Sequence, residues 1–271
     1  MKLSFQGVAS RFASAVGSEA PILRRLRPWY EQILWLQSRG RGIEWSLNRV
    51  PCRIDPRQRH RMWRDYDGAV ASWLGSRVKP GDSCVIVGAN IGIYPLECAH
   101  WSRPDGTIIA FEPNPHAREI LRRHLRFNQL ESRVQIVDAA VAAREGESTF
   151  FADRTGDGMS RLGARNPLLH DVAELTVRTV TLDSFLTRAP DWMVIDTEGF
   201  EIEVLRGGRR IVQECKAIVV ELHPSDWHVA GTTRADLENL LDELSLTLIP
   251  LSGQLDPLSQ WGHVALQRAP E

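Results

Sequence analysis

The segment from Cys84 to Pro115, CVIVGANIGIYPLECAHWSRPDGTIIAFEPNP, constrains the fold more than any other part of the chain. Its pattern predicts a buried strand, a glycine turn, a helix from about Ile93 to Trp101, and a second strand that is followed by Glu112. In α/β proteins that bind nucleotides, such a turn lets the backbone approach the ligand. An acid at the end of the next strand then accepts hydrogen bonds from ribose hydroxyls. The segment therefore predicts a site for an adenosine-bearing ligand.

The glycine turn itself argues against a dinucleotide. A turn that binds a pyrophosphate has glycines spaced G-x-G-x-x-G. Here Asn90 takes the place of the second glycine and Ile93 that of the third, which leaves a wider G-x-x-x-G turn. An adenosine ligand without a pyrophosphate fits this turn better, and S-adenosylmethionine is the commonest of these. We expect cofactor contacts from the turn and from the following strand end: Gly88, Ala89, Asn90, Gly92, Glu112, Pro113 and Asn114.

Beyond this segment, apolar runs alternate with helical patterns in a way that predicts a mainly parallel sheet. We expect strands at Ser83–Val87, Thr107–Phe111, Arg133–Val137, Trp192–Asp196, Ala217–Leu222, Leu246–Pro250 and His263–Gln267. Strands joined by helices form right-handed crossovers, so we predict a Rossmann-like α/β domain with a mainly parallel, seven-stranded sheet flanked by helices. Between Ala139 and Thr181 the pattern becomes β-rich and glycine-containing, which indicates short strands and a loop.

Residues 1–80 differ in composition from the rest and predict an N-terminal extension to a domain formed by residues 81–271. They carry 15 lysines and arginines against 6 acids, whereas residues 81–271 carry 18 against 28. Apolar spacing predicts helices at Pro21–Ser38 and Arg61–Arg77, with a hairpin between them that turns near Asn48. The extension is also rich in tryptophan, at positions 29, 35, 45, 63 and 73. It is either a cap that holds an anionic acceptor or a segment that packs on the acidic domain, and packing is the more common role of such aromatic residues.

A second group of candidate residues follows the fourth predicted strand. Asp196 and Glu198 lie two residues apart where this strand ends, and ligands of open α/β sheets bind at this edge. The two carboxylates suit either the binding of a cationic group or the removal of a proton from an acceptor. One of them alternatively caps the helix that follows. Since Gly88, Glu112 and Asp196 would end neighbouring strands, we expect Asp196 to contribute to both the cofactor site and catalysis.

Two further strand ends carry polar candidates. Glu221 and His223 would emerge beside Asp196, where a carboxylate and an imidazole suit general-base catalysis. A histidine at a strand end is equally often structural. Asp138 and Ala139 follow the third predicted strand, where a carboxylate accepts a hydrogen bond from the adenine amino group. Asp138 is alternatively a turn residue.

The sequence contains no cluster of histidine, cysteine and carboxylate residues at the spacing of metal ligands, so we expect no metal ion to be required. Asp196, Glu198 and Glu221 could nonetheless converge on a divalent cation with oxygen ligands.

Two loop segments have an ambiguous pattern. The glycine-flanked segment Gly156–Gly163 is either a mobile cover over the acceptor, with Arg161 touching an anionic group, or a connecting loop. The segment Asp55–Arg59 is either a turn that begins a helix or an entrance to the site.

Four ordered motifs, VGANIGIYPL, AFEPNP, TLDSFL and VIDTEGFEIEVLRGG, resemble those of the FkbM-type S-adenosylmethionine-dependent methyltransferases, and the resemblance spans roughly Asp55 to His263. It implies a class I methyltransferase fold for residues 81–271, with S-adenosylmethionine as the cofactor. It also implies O-methylation of a hydroxyl on a sugar, glycan or secondary metabolite. The chain departs from the family pattern at two points. Ile86 stands where the family has the aspartate of D-V-G-A-N, and Val194 stands where it has the lysine of K-I-D-V-E-G.

Two other functional classes remain open at this point: a nucleotide-fold oxidoreductase and a non-catalytic protein that binds an adenosine ligand. We expect the partner to be a small-molecule or glycan acceptor, either neutral or anionic, and no nucleic acid. No apolar run approaches the ~20 residues of a membrane span, so no integral membrane segment is expected. The four cysteines are scattered, which favours free thiols in a reducing cytoplasm.

Overall fold

The computed structural model of the chain describes residues 21–153, 159–165 and 171–268. The helices are α1 (Pro21–Gln37), α2 (Gly68–Gly75), α3 (Ile93–Trp101), α4 (Pro115–Phe127), α5 (Leu182–Phe185), α6 (Glu201–Arg206), α7 (Arg209–Glu214) and α8 (Arg234–Glu243). The strands are β1 (Ile43–Leu47), β2 (Val50–Ile54), β3 (Cys84–Val87), β4 (Ile108–Phe111), β5 (Val134–Val137), β6 (Ala140–Val141), β7 (Gly146–Asp153), β8 (Arg161–Leu162), β9 (Val172–Val180), β10 (Trp192–Ile195), β11 (Ala217–Leu222), β12 (Leu246–Pro250) and β13 (Gly262–Arg268).

The main sheet has the strand order β12-β13-β11-β10-β3-β4-β5. Neighbouring strands from β5 to β11 are parallel, whereas β13 is antiparallel to both β11 and β12. The chain first runs outward from β3 to β5 and then returns to β10 on the other side of β3, so the topological switch point lies between β3 and β10. The predicted mainly parallel, seven-stranded sheet of a class I methyltransferase fold is confirmed.

Alternation of side chains along the strands gives the sheet one hydrophobic cluster on each face. In β3, Cys84 and Ile86 join the cluster that also contains residues of α3, α4 and the N-terminal extension. Val85 and Val87 join the opposite cluster, which contains residues of α6, α7 and α8. Both faces of β3 are thus covered, and every residue of this strand is buried, as is typical of a central parallel strand.

The N-terminal extension (α1, the β1–β2 hairpin and α2) completes the cluster on one face. The hairpin turns at Asn48 and Arg49, whose φ angles of 45° and 70° are those of the tight turns that match strand twist. Leu47, Ile54 and Leu74 of the extension are fully buried in that cluster. The turn near Asn48 therefore lies where the sequence predicted it, and the extension shares a core with the α/β domain.

The predicted helix Arg61–Arg77 is wrong in its first half, because α2 begins only at Gly68. Backbone carbonyls that would bond within that helix are taken by the hairpin instead. The carbonyl of Met62 accepts from the Trp45 indole at 2.6 Å, and that of Tyr66 accepts from the Asn48 side chain at 2.5 Å. Asp67 then adopts a left-handed conformation with φ 44°. Apolar spacing alone did not reveal this competition for hydrogen bonds.

Arginines stack on several tryptophans of the extension. Arg57 lies 4.2 Å from the centre of the Trp35 ring, and Arg64 lies 4.4 Å from that of Trp45. Such cation–π contacts let a basic, aromatic segment pack on itself and on the domain. Trp63, by contrast, is 54% exposed, so packing does not account for every tryptophan.

A second, four-stranded sheet with the order β6-β9-β7-β8 lies between β5 and β10 in the sequence. Strands β7 and β9 pair antiparallel along eight residues, from Gly146↔Thr179 to Asp153↔Val172. The β-rich region was predicted, but these two strands are longer than the short strands expected. The sheet contributes Phe150 and Leu162 to a small hydrophobic cluster that also includes Phe200.

Two further expectations can be compared with the described residues. None of the described helices is long and apolar enough to cross a membrane. Cys52, Cys84, Cys98 and Cys215 are buried free thiols.

Candidate active site

A cleft of about 610 Å³, including its open mouth, lies at the carboxyl ends of β3, β4, β5 and β10. This is the edge at which open α/β sheets bind ligands. Its lining consists of Val87, Gly88, Asn90, Phe111, Glu112, Pro113, Asn114, Ala117, Ala139, Ala140, Val141, Phe150, Ser160, Arg161, Leu162, Asp196, Thr197, Glu198 and Phe200. Apolar walls with a few convergent polar groups are what a small-molecule site requires.

Glu112 is the best-oriented polar group of the cleft. One carboxylate oxygen accepts from the backbone N–H of Asn90 at 2.6 Å, and the other accepts from that of Asn114 at 2.7 Å. Each oxygen keeps a further lone pair, so the carboxylate can accept two more hydrogen bonds from a ligand. Burial raises the pKa of Glu112 to about 7, in spite of these two N–H groups. The glycine turn and the E-P-N segment thus act together to hold this acid.

The E-P-N segment is held by residues that sequence reasoning partly missed. Asn114 caps α4, because its side-chain oxygen accepts from the N–H of His116 at 2.9 Å. Its amide nitrogen donates to Ser160 Oγ at 3.2 Å, which ties the β7–β8 region to the cleft. Arg118, which was not predicted, donates to the carbonyls of Glu112 and Pro113 at 2.9 and 2.8 Å. The polar atoms of Asn114 therefore serve the protein, although the residue lines the cleft.

Gly88 lies at the topological switch point and has no room for a side chain. Its φ is +84°, and a Cβ atom there would lie 1.7 Å from the carbonyl oxygen of Asp196. The loops after β3 and β10 consequently approach each other more closely than any other residue would permit. This contact brings the glycine turn next to the D-T-E-G loop.

Five side chains form what we call the carboxylate–histidine cluster: Asp196, Glu198, Glu201, Glu221 and His223. The ring of His223 lies at its centre, with Nδ1 3.0 Å from a carboxylate oxygen of Glu201. Nε2 of His223 lies 3.6 Å from Glu198 and 3.9 Å from Glu221. Potential ligand atoms of Asp196, Glu221 and His223 all lie within 4.8 Å of one another. The structure thus brings together the four catalytic candidates predicted from two strand ends.

Glu201 belongs to the quoted D-T-E-G motif region but was not predicted as a site residue. It is fully buried and accepts hydrogen bonds from the N–H of Gly199 at 2.8 Å and from the Trp227 indole at 2.9 Å. Together with the contact to His223, these bonds satisfy both of its oxygens. Glu201 is therefore a fixed anchor for the His223 ring. Its place in the first turn of the helix that follows the D-T-E-G loop was the signal that could have revealed it.

The neighbours of each group shift its pKa. Burial raises the pKa of Asp196, and the negative charges of Glu221 and Glu198 raise this pKa further. Burial also raises the pKa of Glu198, to about 7. Although burial lowers the pKa of His223, the hydrogen bond to Glu201 and the surrounding carboxylates raise it to about 10. With these neighbours His223 holds a proton at neutral pH, so a carboxylate is the better proton acceptor in the cluster.

The N-terminal extension reaches this cluster through residues that sequence reasoning missed. Asp67 Oδ2 lies 3.5 Å from Nε2 of His263, and the same nitrogen lies 3.6 Å from Glu221. Tyr66 precedes Asp67, and after burial the charges of Asp196, Asp67 and Glu221 raise its pKa further. No local pattern in the sequence links residues 66 and 67 to residue 263.

Trp63 and Trp261 lie next to Tyr66 and His263, the residues just described. The Trp63 ring lies 5.4 Å from that of Tyr66, and the Trp261 ring lies 6.0 Å from that of His263. Both tryptophans are more than half exposed. Neither tryptophan lines the cleft, but their neighbours Tyr66 and His263 connect both rings to the carboxylate–histidine cluster.

Some predicted residues shape the site without lining the cleft. The side chain of Asp138 is 66% exposed and pairs with Arg118, which favours the turn interpretation. Ala89 donates its N–H to the carbonyl of Phe111 at 2.9 Å, and Gly92 (φ +103°) precedes α3. Asp55 accepts from the N–H of the residue two positions later and begins a short 3₁₀ turn.

Thr197 and Arg161 differ in how well the protein satisfies their polar groups. Thr197 lines the cleft, and its buried hydroxyl has no hydrogen-bond partner within the described part of the chain. Such a group is typical of a position where a ligand bonds. Arg161 also lines the cleft but pairs with Asp226 and donates to the carbonyl of Ala164 at 3.0 Å. The predicted cover Gly156–Gly163 falls partly outside the described residues, which include only its last five positions.

Comparison with protein families agrees with the motifs of the chain. The family model described as the methyltransferase FkbM domain matches residues 87–247, which is more than half of the chain. The match includes the glycine turn from Gly88 onward, Glu112 and the whole carboxylate–histidine cluster.

Curated relatives are also methyltransferases. The hexuronic acid methyltransferase AglP of Haloferax volcanii is 25% identical over 165 residues, which cover 59% of this chain and 62% of that protein. Methyltransferase 1 of Beauveria bassiana is 30% identical over 149 residues, covering 47% of this chain and 59% of that protein. The 31-O-demethyl-FK506 methyltransferase FkbM of Streptomyces tacrolimicus is 36% identical over 81 residues, covering 30% and 31%. The chain therefore spans about three fifths of the length of the first two relatives.

Among solved structures, the methyltransferase FkbM from Methylobacillus flagellatus KT matches with 16% identity and a TM-score of 0.48. The match covers 70% of this chain and 44% of that one. The fold assignment rests on the strand order and pairing of the main sheet.

Proposed function

The chain belongs to the methyltransferase FkbM family, and on this basis we propose that it transfers a methyl group from S-adenosylmethionine to a hydroxyl oxygen of a sugar, glycan or secondary metabolite. The observation that carries the proposal is the charge of the cleft. Its charged lining residues are Glu112, Asp196, Glu198 and Arg161, and Arg161 is paired with Asp226. A cleft lined by carboxylates favours a ligand with a sulfonium and an ammonium group and disfavours the pyrophosphate of a dinucleotide.

Glu112 fits the adenosine part of this cofactor. The two backbone N–H groups aim its carboxylate, and the remaining lone pairs match the two hydroxyl donors of a ribose. Gly88 and Asn90 line the same part of the cleft. The unpaired hydroxyl of Thr197 offers one more hydrogen bond at the other side. We assign Glu112 to the ribose and Asp196 with Thr197 to the amino-acid end.

Asp196 and Glu198 suit the reacting end. Bound S-adenosylmethionine supplies an activated methyl group, whose bond to sulfur breaks as the new carbon–oxygen bond forms. The protein then mainly aligns donor and acceptor, and alignment can supply ~7–11 kcal/mol of the barrier. Glu198 lines the cleft and, with φ +52°, is held in a backbone conformation that is costly for this residue. We assign to Glu198 the removal of the hydroxyl proton.

The acceptor side is assigned to the N-terminal extension, which supplies Tyr66 and Asp67, and to the exposed rings of Trp63 and Trp261. Two relatives act on a hexuronic acid and on a 31-O position, by their names, and both are consistent with an oxygen acceptor on a ring-containing molecule. Flat aromatic side chains bury a large area against such a molecule at low entropic cost. Residues 1–80 would thus be a substrate-side segment as well as part of the core.

Ligand-dependent stability and turnover test the proposal together. S-adenosylhomocysteine should raise the melting temperature, whereas NAD and NADP should not, because only a ligand of the native state stabilises it. Incubation with labelled S-adenosylmethionine and candidate sugars should give an O-methyl ether and S-adenosylhomocysteine. Stabilisation by NAD alone would favour an oxidoreductase. Binding of S-adenosylhomocysteine without transfer to any hydroxyl acceptor would favour a non-catalytic binding protein.

A further inference from the structure

Next to Asp196 and Glu198, which line the cleft, one ring nitrogen of a buried histidine faces carboxylates at more than hydrogen-bond distance. His223 is 7% exposed. Its Nε2 lies 3.6 Å from Glu198 and 3.9 Å from Glu221, both beyond hydrogen-bond distance. Nε2 therefore faces two carboxylates across gaps wider than a hydrogen bond. The buried hydroxyl of Thr197, next to Asp196 and lining the cleft, has no hydrogen-bond partner among the described residues, and a buried polar group in this state is typical of a position where a ligand bonds.

The other ring nitrogen is fixed. Nδ1 donates to Glu201, whose remaining hydrogen bonds come from Gly199 and Trp227. A carboxylate that holds one imidazole nitrogen fixes the orientation of the ring, as occurs behind metal-binding histidines, and a metal ion at the other nitrogen would take the place of its proton. The Glu201–His223 pair therefore presents Nε2 toward Asp196 and Glu221.

The ligand atoms and the charge around them define the missing partner. Asp196, Glu221 and His223 each offer one atom within 4.8 Å of the others. The cluster contains four carboxylates around a single imidazole, and Arg161, which lines the cleft, is paired with Asp226. Two oxygens and one nitrogen, with surplus negative charge, suit a divalent first-row transition ion such as Mn²⁺ or Fe²⁺ better than Ca²⁺.

We propose that Asp196, Glu221 and His223 bind a divalent transition-metal ion that holds the acceptor hydroxyl beside the cofactor. The metal site stands on the geometry, and its role in methyl transfer rests on the proposed function. Three protein ligands leave positions open for an acceptor oxygen. Coordination makes a hydroxyl proton easier to remove, and Glu198, on the same loop as Asp196, is the group that takes it. The expectation from sequence that no metal is required is the alternative.

Metal binding is tested without activity. The whole protein, treated with a chelator and then desalted, is titrated with Mn²⁺ in the presence of S-adenosylhomocysteine, by calorimetry and by the electron paramagnetic resonance of free Mn²⁺. We expect one bound ion per chain. His223→Gln and Glu221→Gln should each weaken Mn²⁺ binding at least about tenfold, because loss of a group that merely orients a ligand already costs that much.

The matched control is His228→Gln, since His228 is exposed on the same segment and its ring, among the described residues, bonds only the carbonyl of Ser225. This variant should bind Mn²⁺ as the wild type does. Melting temperatures and their increase on addition of S-adenosylhomocysteine establish that each variant is folded. Glu221→Gln keeps the test decisive if His223→Gln does not fold. Absence of Mn²⁺ binding to the wild type, or unchanged binding in the folded variants, overturns the proposal.

The metal inference and the proposed function fail in different ways. If Mn²⁺ binds through His223 but no hydroxyl acceptor is methylated, the site is a metal site and the proposed function is wrong. If an acceptor is methylated at full rate in the presence of a chelator and Mn²⁺ does not bind, the proposed function stands and the metal inference is wrong.

Discussion

The affinity for S-adenosylhomocysteine should depend on pH through Glu112. This carboxyl has its pKa raised from 4.5 to about 7 by burial, which corresponds to about 3 kcal/mol of cost for ionising it inside the folded protein. Because its folded-state pKa is raised, its contribution to stability is fully present below pH 4.5 and is lost as the pH rises through 7. Ribose hydroxyls that donate to the ionised form offset this cost, so the cofactor prefers the charged carboxylate.

The magnitude follows from the fraction of Glu112 that is ionised. At pH 8 the carboxylate is mostly charged, and binding should be at its strongest. At pH 6 about nine tenths of it is protonated, so affinity should fall about tenfold, and the loss should level off near 10²-fold when hydrogen bonds to a charged group are gone. Binding near pH 6.5 should also release a proton. Glu112→Gln should bind more weakly at pH 8 and lose the part of the pH dependence and of the proton release that comes from Glu112.

Calorimetry at pH 6 to 8, in buffers of different ionisation enthalpy, measures both quantities. Subtracting the pH profile of Glu112→Gln from that of the wild type removes any contribution from titration of the ligand itself. Glu119→Gln is the matched control, because Glu119 is half exposed on α4 and does not line the cleft. It should behave as the wild type. An affinity in the wild type that is the same at pH 6 and pH 8, or an identical profile in Glu112→Gln, would refute the assignment of Glu112 to the ribose.

Three further outcomes are expected. Gly88→Ala should destabilise the protein by about 3 kcal/mol or more in chemical denaturation, because its Cβ would lie 1.7 Å from a carbonyl oxygen. Gly81→Ala is the control, since Gly81 has a similar φ of +88° but nothing within 4 Å of the added Cβ, and it should cost only about 1 kcal/mol. Trp63→Ala should raise the KM for the acceptor by roughly tenfold and leave cofactor affinity unchanged, whereas Trp29→Ala, at a still more exposed position on α1, should change neither. Glu198→Gln should lower kcat by roughly 10²-fold or more with cofactor affinity within a few-fold of the wild type, and equal kcat values would remove Glu198 from the reaction.

The cofactor half of the site was predictable because its residues lie close together in the sequence. Gly88, Asn90 and Glu112 belong to one strand–turn–helix–strand unit, whose local geometry is set by a few residues. The strand bounds were also predictable, since buried strands of a parallel sheet are continuous apolar runs. Asp196 and Glu221 could be placed near each other because both lie at carboxyl ends of neighbouring strands.

The acceptor half was not predictable in the same way. Asp67 and His263 are almost 200 positions apart and meet only because α2 and β13 pack on the same edge of the fold. A helix was also expected at Arg61–Arg77. Within such a helix Asp67 would have been an ordinary position, so it was not considered as a site residue. Its left-handed backbone depends on hydrogen bonds from the hairpin, which are tertiary contacts.

The extension also accounts for the departure from the family motif at Ile86. Successive residues of β3 face opposite sides of the sheet, so Val87 lines the cleft, whereas Ile86 packs with Leu47, Met62 and Leu74 of the extension and is fully buried. A carboxylate at position 86 would be enclosed by apolar side chains, at a cost of several kcal/mol if it stayed ionised. Since this position does not line the cleft, we expect isoleucine there to remove no cofactor contact. Ile86 instead belongs to the hydrophobic cluster through which the extension, with Tyr66 and Asp67, packs against the sheet.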